Sequence, residues 1–207
     1  MANAVVPTKA NLIAAKKSLS LSKVGYELMN RKRNILIHEM MQLIDRASQI
    51  QSVIDDTYKA AYAALQRSNI TLGISRELAG VVPVENNLQI SFRSVMGVEI
   101  PMVQLEESDV YRKVPYGMAR SNEALDEAYQ QFLQVKRLTA ELAEVENSVY
   151  RLADSIKKIQ KRANALKNIM IPKFTETVKS ITDSLEEKDR EEFSRMKVIK
   201  AQKEKEG

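Results

Sequence analysis

The side chains that most often perform catalysis or bind metals are scarce in this sequence. His38 is the only histidine and there is no cysteine, so the usual nitrogen and sulfur ligands of a metal site are missing. His38 lies beside the apolar seam of a predicted helix, where a packed or solvated role is the simplest interpretation. No stretch matches the phosphate loops GxxxxGK[ST] or GxGxxG. The sequence therefore predicts no metal, no cofactor and no catalytic residue.

Adjacent carboxylates are the remaining candidates for acid–base chemistry. Pairs occur at Asp55-Asp56, Glu106-Glu107 and Glu186-Glu187. Each pair falls on the flank of a predicted helix or in a loop, where solvated charge is the simplest interpretation. We therefore expect that this chain is not a catalyst by itself.

The composition favours long helices over an ordinary globular core. The 207 residues are 44% apolar and 29% charged, with only six glycines, five prolines and no tryptophan. This balance is typical of an elongated, mostly helical chain with a narrow apolar seam. No apolar run approaches the roughly 18 residues of a membrane span, and no signal peptide opens the chain. We expect an intracellular, soluble protein.

A heptad seam runs through the first third of the chain. Pro7 and Thr8 predict a helix start, and steps of three and four residues then continue to Ser68. Thirteen of these 17 positions are apolar or tyrosine, which is the signature of a coiled coil. The seam positions are Leu12, Ala15, Leu19, Ser22, Tyr26, Met29, Arg33, Leu36, Met40, Leu43, Ala47, Ile50, Ile54, Thr57, Ala61, Ala64 and Ser68.

A second seam follows a helix start at Ser121 or Asn122, both good caps. Its spacing slips once in the stretch Val135, Leu138 and Leu142, where a second consecutive step of three precedes the step of four, which predicts a local change of supercoil. Because one chain supplies both arms, we expect an antiparallel two-helix coiled coil folded on itself. The seam positions are Leu125, Ala128, Phe132, Val135, Leu138, Leu142, Val145, Val149, Leu152, Ile156, Ile159, Ala163, Leu166 and Met170.

The segment between the arms has a period of two instead. LQISFRSV and VEIPMVQL flank Met96-Gly97, which predicts a β-hairpin over about residues 88–105. We divide the chain into an N-terminal coiled-coil arm (1–74), a linker with the hairpin (75–118) and a C-terminal coiled-coil arm (119–207). The hairpin should form one apolar face that packs on a partner or on the coil. Its defining residues are Leu88, Ile90, Phe92, Gly97, Val103 and Leu105, with Leu88 opposite Leu105, Ile90 opposite Val103 and Phe92 opposite Pro101.

A proline interrupts the C-terminal arm in the stretch RANALKNIMIPKF. Pro172 cannot donate to the carbonyl of Asn168, and its ring crowds that carbonyl. Helical spacing nevertheless resumes at Phe174. The sequence therefore predicts a bend near Pro172 and no helix end.

Charge is segregated along the chain. Residues 1–40 carry a net charge of +5, residues 41–150 carry −5, and residues 151–207 carry +5. In an antiparallel coil the two basic segments would lie at one end, as a basic tip. Its residues are Lys16, Lys17, Lys23, Arg31, Lys32, Arg33, Arg162, Lys167, Lys173 and Lys179.

The two ends of the chain resemble the D-subunit family of the archaeal and bacterial V-type ATPases. The opening VVPTKANLIAAKKSLSLSKVGYELMNRKRNIL and the closing RANALKNIMIPKFTETVKSITDSLEEKDREEFSRMKVIK carry the resemblance. The closing stretch is the more specific, with R-x-N-A-L, then Ile171-Pro172, L-E-E and M-K-V-I-K. Lys167 departs from the family, which often has an acidic residue there. The resemblance covers nearly the whole chain, including the two arms and the hairpin insert.

The resemblance implies a central rotor shaft that transmits torque, in ATP hydrolysis or synthesis, between a catalytic ring and an ion-translocating membrane rotor. Its implied partners are the catalytic A and regulatory B subunits of the ring, the small F subunit of the stalk and a funnel-like subunit above the membrane rotor. The basic tip would face the ring. The implied location is peripheral, at the cytoplasmic face of a membrane, without membrane insertion.

Two alternatives from other classes stay open at this point. A basic coiled coil could bind nucleic acid, but only four Phe, seven Tyr and no Trp are available for stacking. A membrane-surface module would need a wide apolar face, and this seam is narrow. Co-purification with ring and stalk subunits, or with DNA, RNA or liposomes, would separate these alternatives.

Overall fold

Two long helical segments flank a β-hairpin, which confirms the predicted fold class. The computed structural model describes residues 6–73, 76–84, 86–105, 115–117 and 121–206. In chain order the elements are helix α1 (Lys9–Leu72), the short helix α2 (Arg76–Ala79), strands β1 (Leu88–Val95) and β2 (Val98–Leu105), helix α3 (Glu123–Ala165), a π-helical turn (Leu166–Met170) and helix α4 (Ile171–Glu206).

Both long helical segments start at side-chain caps. The backbone N–H of Asn11 donates to Oγ1 of Thr8 at 3.2 Å, and the N–H of Leu125 donates to Oδ1 of Asn122 at 2.9 Å. Each cap satisfies an amide that has no acceptor within its own helix. The predicted starts are confirmed, and Asn122 is the cap of the second arm.

The chain forms two compact units. The terminal unit combines Met1–Arg33 with Lys157–Gly207, and the hairpin unit is Asn34–Ile156. In the hairpin unit α1 and α3 run antiparallel, because Arg67 contacts Glu127 whereas Arg46, earlier on α1, contacts Glu141, later on α3. Between them lie its buried apolar seam residues, which are Leu36, Ile50, Ile54, Ala61, Ala64, Leu125, Ala128, Val135, Val145 and Leu152.

The terminal unit has the same antiparallel order. The guanidinium of Arg33 donates to Oε1 of Gln160, and Gly25, about two turns earlier, lies opposite Leu166. Few of the side chains described in this unit are buried: Ser22 on α1, and Ile159, Ala163 and Ile181 on the helices that return along it.

The two seams are located as predicted. None of the 17 positions of the first seam is exposed, and in the second seam only Met170 is exposed, with 36% of its surface accessible. Helix α3 is continuous through Val135, Leu138 and Leu142, where the spacing slips. The departure from α-helical geometry lies instead in the π-helical turn Leu166–Met170.

The hairpin has the predicted register. Leu88 lies opposite Leu105, Ile90 opposite Val103 and Phe92 opposite Pro101. Met96 and Gly97 form the turn with φ of 51° and 74°, the left-handed pair that a two-residue type I′ turn requires.

The outer edge of β2 faces helix α3. In the register set by the Val95–Val98 pair, residues 101 and 103 are two of the β2 positions whose amides point away from β1. Pro101 has no amide to leave unsatisfied, and the amide of Val103 donates to Oε2 of Glu144 on α3 at 2.7 Å. On the neighbouring strand, Arg93 pairs with Glu39 of α1 at 2.8 Å. These contacts hold the hairpin against both helices.

The helical path continues through Pro172. The amide of Ile171 donates to the carbonyl of Leu166, five residues back, and α4 then runs from Ile171 to Glu206. This wide turn occupies the positions where the ring of Pro172 would otherwise crowd the preceding turn.

Candidate partner-binding surfaces

The residues considered above for catalysis are dispersed. His38 is exposed on α1, with its Nε2 3.3 Å from Nε2 of Gln42. Asp55-Asp56 and Glu186-Glu187 lie on α1 and α4 as flank residues of their helices, and Glu106-Glu107 lies outside the described residues. Among the described residues there is no group of three or more His, Cys, Asp or Glu side chains placed to hold a metal ion. Within that same part of the chain, no helix has the length and apolarity needed to cross a membrane.

All ten residues proposed as a basic tip belong to the terminal unit. This unit has 21 Lys and Arg against 10 Asp and Glu, whereas the hairpin unit has 11 against 17. The terminal unit therefore carries a net charge of +11 and the hairpin unit −6. Such a positive field favours an acidic partner.

Eight of the ten basic residues are exposed, and two are half-buried. Lys32 and Arg33 are the half-buried pair, and Arg33 occupies a seam position beside Gln160. Arg31 forms an ion pair with Glu27 one turn before it. The exposed remainder, available to meet a partner, is Lys16, Lys17, Lys23, Arg162, Lys167, Lys173 and Lys179.

The apolar face of the hairpin borders an open groove. Leu88, Ile90 and Phe92 remain 49–57% exposed although their β2 neighbours are largely covered. The groove has a volume of about 840 Å³ and lies between this face and the α3 residues Phe132 to Arg151, with Tyr58 of α1 on its wall. The guanidinium of Arg151 lies 5.5 Å from the centre of the Phe92 ring, in cation–π range.

A second apolar cavity of about 420 Å³ lies at the other end of α3 in the hairpin unit. Two tyrosines with perpendicular rings line it, Tyr116 and Tyr129, 5.9 Å apart. The hydroxyl of Tyr116 donates to Oδ1 of Asp126 at 2.7 Å. Burial, together with this hydrogen bond and the nearby carboxylate charge, raises the pKa of Tyr116, and burial raises the pKa of Tyr129. Both hydroxyls therefore stay protonated at neutral pH.

Sequence reasoning identified the hairpin and the basic residues but missed this cavity and the π-helical turn. The cavity brings α2 residues together with the distant Tyr116 and α3, a contact that no short-range pattern encodes. The π-helical turn did leave a signal. Leu166 and Phe174 are eight residues apart, one more than a heptad, and a single π-helical turn absorbs one extra residue.

Comparisons with known proteins agree on one family. The family model described as the D subunit of ATP synthase matches residues 11–201. The V-type ATP synthase D subunit of Thermotoga neapolitana is 44% identical over 95% of this chain and 97% of its own length. The A-type ATP synthase D subunits of Methanopyrus kandleri and Thermococcus kodakarensis are 35% and 34% identical over 95% of this chain, and over 85% and 94% of their own lengths.

Proposed function

This chain belongs to the D-subunit family of ATP synthases, and from that premise we propose that it is the central-stalk shaft of a rotary V-type or A-type ATP synthase. The shaft is a non-catalytic subunit. It transmits torque between a ring of catalytic A and regulatory B subunits and the ion-translocating rotor in the membrane. The observation that carries this proposal is the match over residues 11–201, which includes both coiled-coil arms and the hairpin.

The antiparallel coil suits torque transmission. Each unit is held by an antiparallel pair of helical segments whose seam side chains, apart from Met170, are buried or half-buried, so a twist applied to one segment is passed to the other through their contacts. In this proposal the two arms and the linker between them have different roles. The N-terminal arm (1–74) and the C-terminal arm (119–207), bent near Pro172, form the shaft, and the linker (75–118) carries the hairpin.

The terminal unit is the part proposed to enter the ring. Its net charge of +11 favours an acidic cavity. Contacts between exposed charges contribute only about 0–1 kcal/mol each, so a turning shaft can break and remake them one at a time. The basic tip residues, from Lys16 to Arg33 and from Arg162 to Lys179, are the ring-facing set.

The other partners are the small F subunit of the stalk and the funnel-like subunit above the membrane rotor, and the assembly is peripheral to the cytoplasmic face of the membrane. We assign the hairpin a regulatory or partner-supporting role, because its face around Ile90 and Phe92 is half exposed. Replacing residues 88–105 by a short flexible linker should lower the ATPase rate, assembly or binding of the F subunit. If all three are unchanged, the hairpin has no such role.

Rotation is the direct test of the shaft assignment. The full-length chain is combined with its own A, B and F subunits, a bead is attached to the shaft, and the ring is immobilised. We expect stepwise rotation that depends on ATP. A chain that co-purifies with DNA, RNA or liposomes, and does not bind the ring, would contradict the proposal.

A further inference from the structure

We propose that Leu21, Val24 and Leu28 form an outer ridge on α1 that docks against an apolar surface with an acidic rim on a protein partner. This inference rests on the proposed function and deepens it, because the partner is then the ring that surrounds the terminal unit. The three side chains are 71%, 50% and 60% exposed.

The outer ridge lies on the opposite side of α1 from the seam. Each of its residues follows a seam position by two: Leu19, Ser22 and Tyr26 precede Leu21, Val24 and Leu28. Two residues turn an α-helix by about 200°. Since the seam faces the returning helix of the terminal unit, the outer ridge faces away from it.

The spacing makes the ridge a continuous surface. Steps of three and then four residues place neighbouring side chains about 5–6 Å apart on one face. Isolated exposed aliphatic residues are common on protein surfaces, but an aligned apolar stripe marks a contact site. The ridge extends over roughly 10 Å of helix, a length suited to a groove between two elements of a partner.

The charges around the ridge indicate the sign of the charge expected at the rim of the partner surface. Lys17 lies one turn before Leu21 on the line of the ridge and is exposed, whereas Arg31, three residues after Leu28, is paired with Glu27. The one acidic residue among residues 1–33, Glu27, is engaged by Arg31. Residues 1–33 contain seven Lys and Arg, so a partner that covers the apolar residues would meet the exposed cation Lys17 and an excess of positive charge around it, which acidic side chains would complement.

The dimensions of the ridge favour a protein partner over an anionic membrane or a nucleic acid. Three aliphatic side chains span an arc of about 60°, whereas a helix that binds a membrane surface needs a wide apolar face. Nucleic-acid binding without sequence readout relies on aromatic stacking, and the ridge has no aromatic residue. A narrow aliphatic ridge beside an exposed cation fits a protein groove.

The test uses the full-length chain and the ring assembled from its own A and B subunits. The ridge variant is Leu21→Gln with Val24→Gln and Leu28→Gln, because glutamine removes the apolar contact and retains good helix propensity. The matched control is Met41→Gln with Val53→Gln and Ile70→Gln, three exposed apolar residues of α1 in the hairpin unit. Ring affinity is measured at about 0.1 M and about 1 M salt, where the screening length falls from about 10 Å to about 3 Å.

We expect the ridge variant to bind the ring at least about tenfold more weakly at both salt concentrations, since screening does not remove an apolar contact. The control should stay within about twofold of wild type. Single substitutions at Leu28 add a second readout that does not depend on the triple variant folding. Leu28→Glu should weaken binding more than Leu28→Lys if the rim is acidic.

Three results would overturn the inference. The first of them would do so without contradicting the proposed function. If wild type binds the ring and the ridge variant binds equally well, the ridge is wrong and the shaft assignment stands. If wild type does not bind the ring, both are wrong. If the ridge variant loses binding to phosphatidylserine vesicles but keeps its ring affinity, the ridge binds membranes and the proposed protein partner is wrong.

Discussion

The two units of this chain differ in how many of their apolar side chains are buried. Of the 15 buried apolar residues in the described part of the chain, 12 lie in the hairpin unit and three in the terminal unit. The net charges are −6 and +11. One unit is thus well packed and acidic, and the other is thinly packed and basic.

This difference separates residues whose polar and apolar groups are used inside the fold from residues that stay exposed. In the hairpin unit, helix–helix ion pairs such as Arg46–Glu141 and hairpin contacts such as Val103–Glu144 use the polar groups internally. In the terminal unit most basic side chains are exposed, and so is the outer ridge. We infer that the hairpin unit supplies most of the intrinsic stability.

The largest effect expected from this comparison is a cavity in the hairpin unit. Leu152 is fully buried, so Leu152→Ala should lower the free energy of unfolding by about 2–5 kcal/mol. Leu19 of the terminal unit is only half-buried, and Leu19→Ala should cost clearly less. Urea unfolding of both variants measures the difference. Equal losses would show that the units are packed equally well.

The next effect concerns the basic tip. Changing Lys16, Lys23, Arg162, Lys167, Lys173 and Lys179 to glutamine should weaken ring binding by roughly 10- to 100-fold at low salt, because six weak contacts are lost together. The slope of affinity against salt should flatten as well, whereas one replacement alone should do little. Equal affinities and equal salt slopes for wild type and the sixfold variant would show that the basic tip is only a solvated surface.

Much of this architecture could be predicted because it depends on local periodicity. Heptad steps predicted the seams, and period-two alternation around Met96-Gly97 predicted the hairpin register. The same reasoning was wrong at Met170, which was placed in the seam but is exposed. The extra residue between Leu166 and Phe174 could be absorbed either by a π-helical turn or by a change of supercoil, and the spacing alone does not distinguish these outcomes.

Contacts between distant segments could not be predicted in the same way. The cavity at Tyr116 and Tyr129, and the carboxylate of Glu144 on the edge of β2, both join residues far apart in sequence. The site residues proposed for the basic tip came from charge counting. Their shared location in the terminal unit depends on the antiparallel return of the chain.

The hairpin turn provides a test confined to the hairpin unit. Gly97 has a φ of 74°, so Gly97→Ala should destabilise the hairpin by about 1–2 kcal/mol. Met96→Asn is the matched variant and should stabilise the hairpin, since asparagine is favoured in this turn. Amide exchange of β1 and β2 should rise in the first variant and fall in the second. A response in the terminal unit as large as that in the hairpin would contradict the division into two units.

A smaller effect should follow the pH. The pKa of Tyr116 is raised in the folded chain by burial and by its hydrogen bond to Asp126, so its stabilising contribution is present below the unfolded pKa of about 10 and is lost as pH rises above it. Tyr116→Phe should cost about 1 kcal/mol at neutral pH. It should also reduce the decline of stability above about pH 10. An unchanged alkaline decline would show that Tyr116 does not cause it.

The smallest effect is expected at Gly25, in the interior of α1 within the terminal unit. Glycine in a helix interior is less favourable than alanine by about 0.5–1 kcal/mol, because it loses more backbone entropy on folding. A Cβ atom at this position would meet Cδ1 of Leu166 at 3.8 Å, which is an ordinary contact. Gly25→Ala should therefore raise the free energy of unfolding by up to about 1 kcal/mol, because thin packing leaves room for the added methyl group.

Comparing the ring affinity of the same variant then separates two roles for the glycine. Higher stability with unchanged affinity would show that the glycine has no role in ring binding. Higher stability with weaker binding would mean that a partner approaches the α1 backbone beside the outer ridge. A loss of stability would show that the terminal unit is packed as closely as the hairpin unit, against the comparison made above.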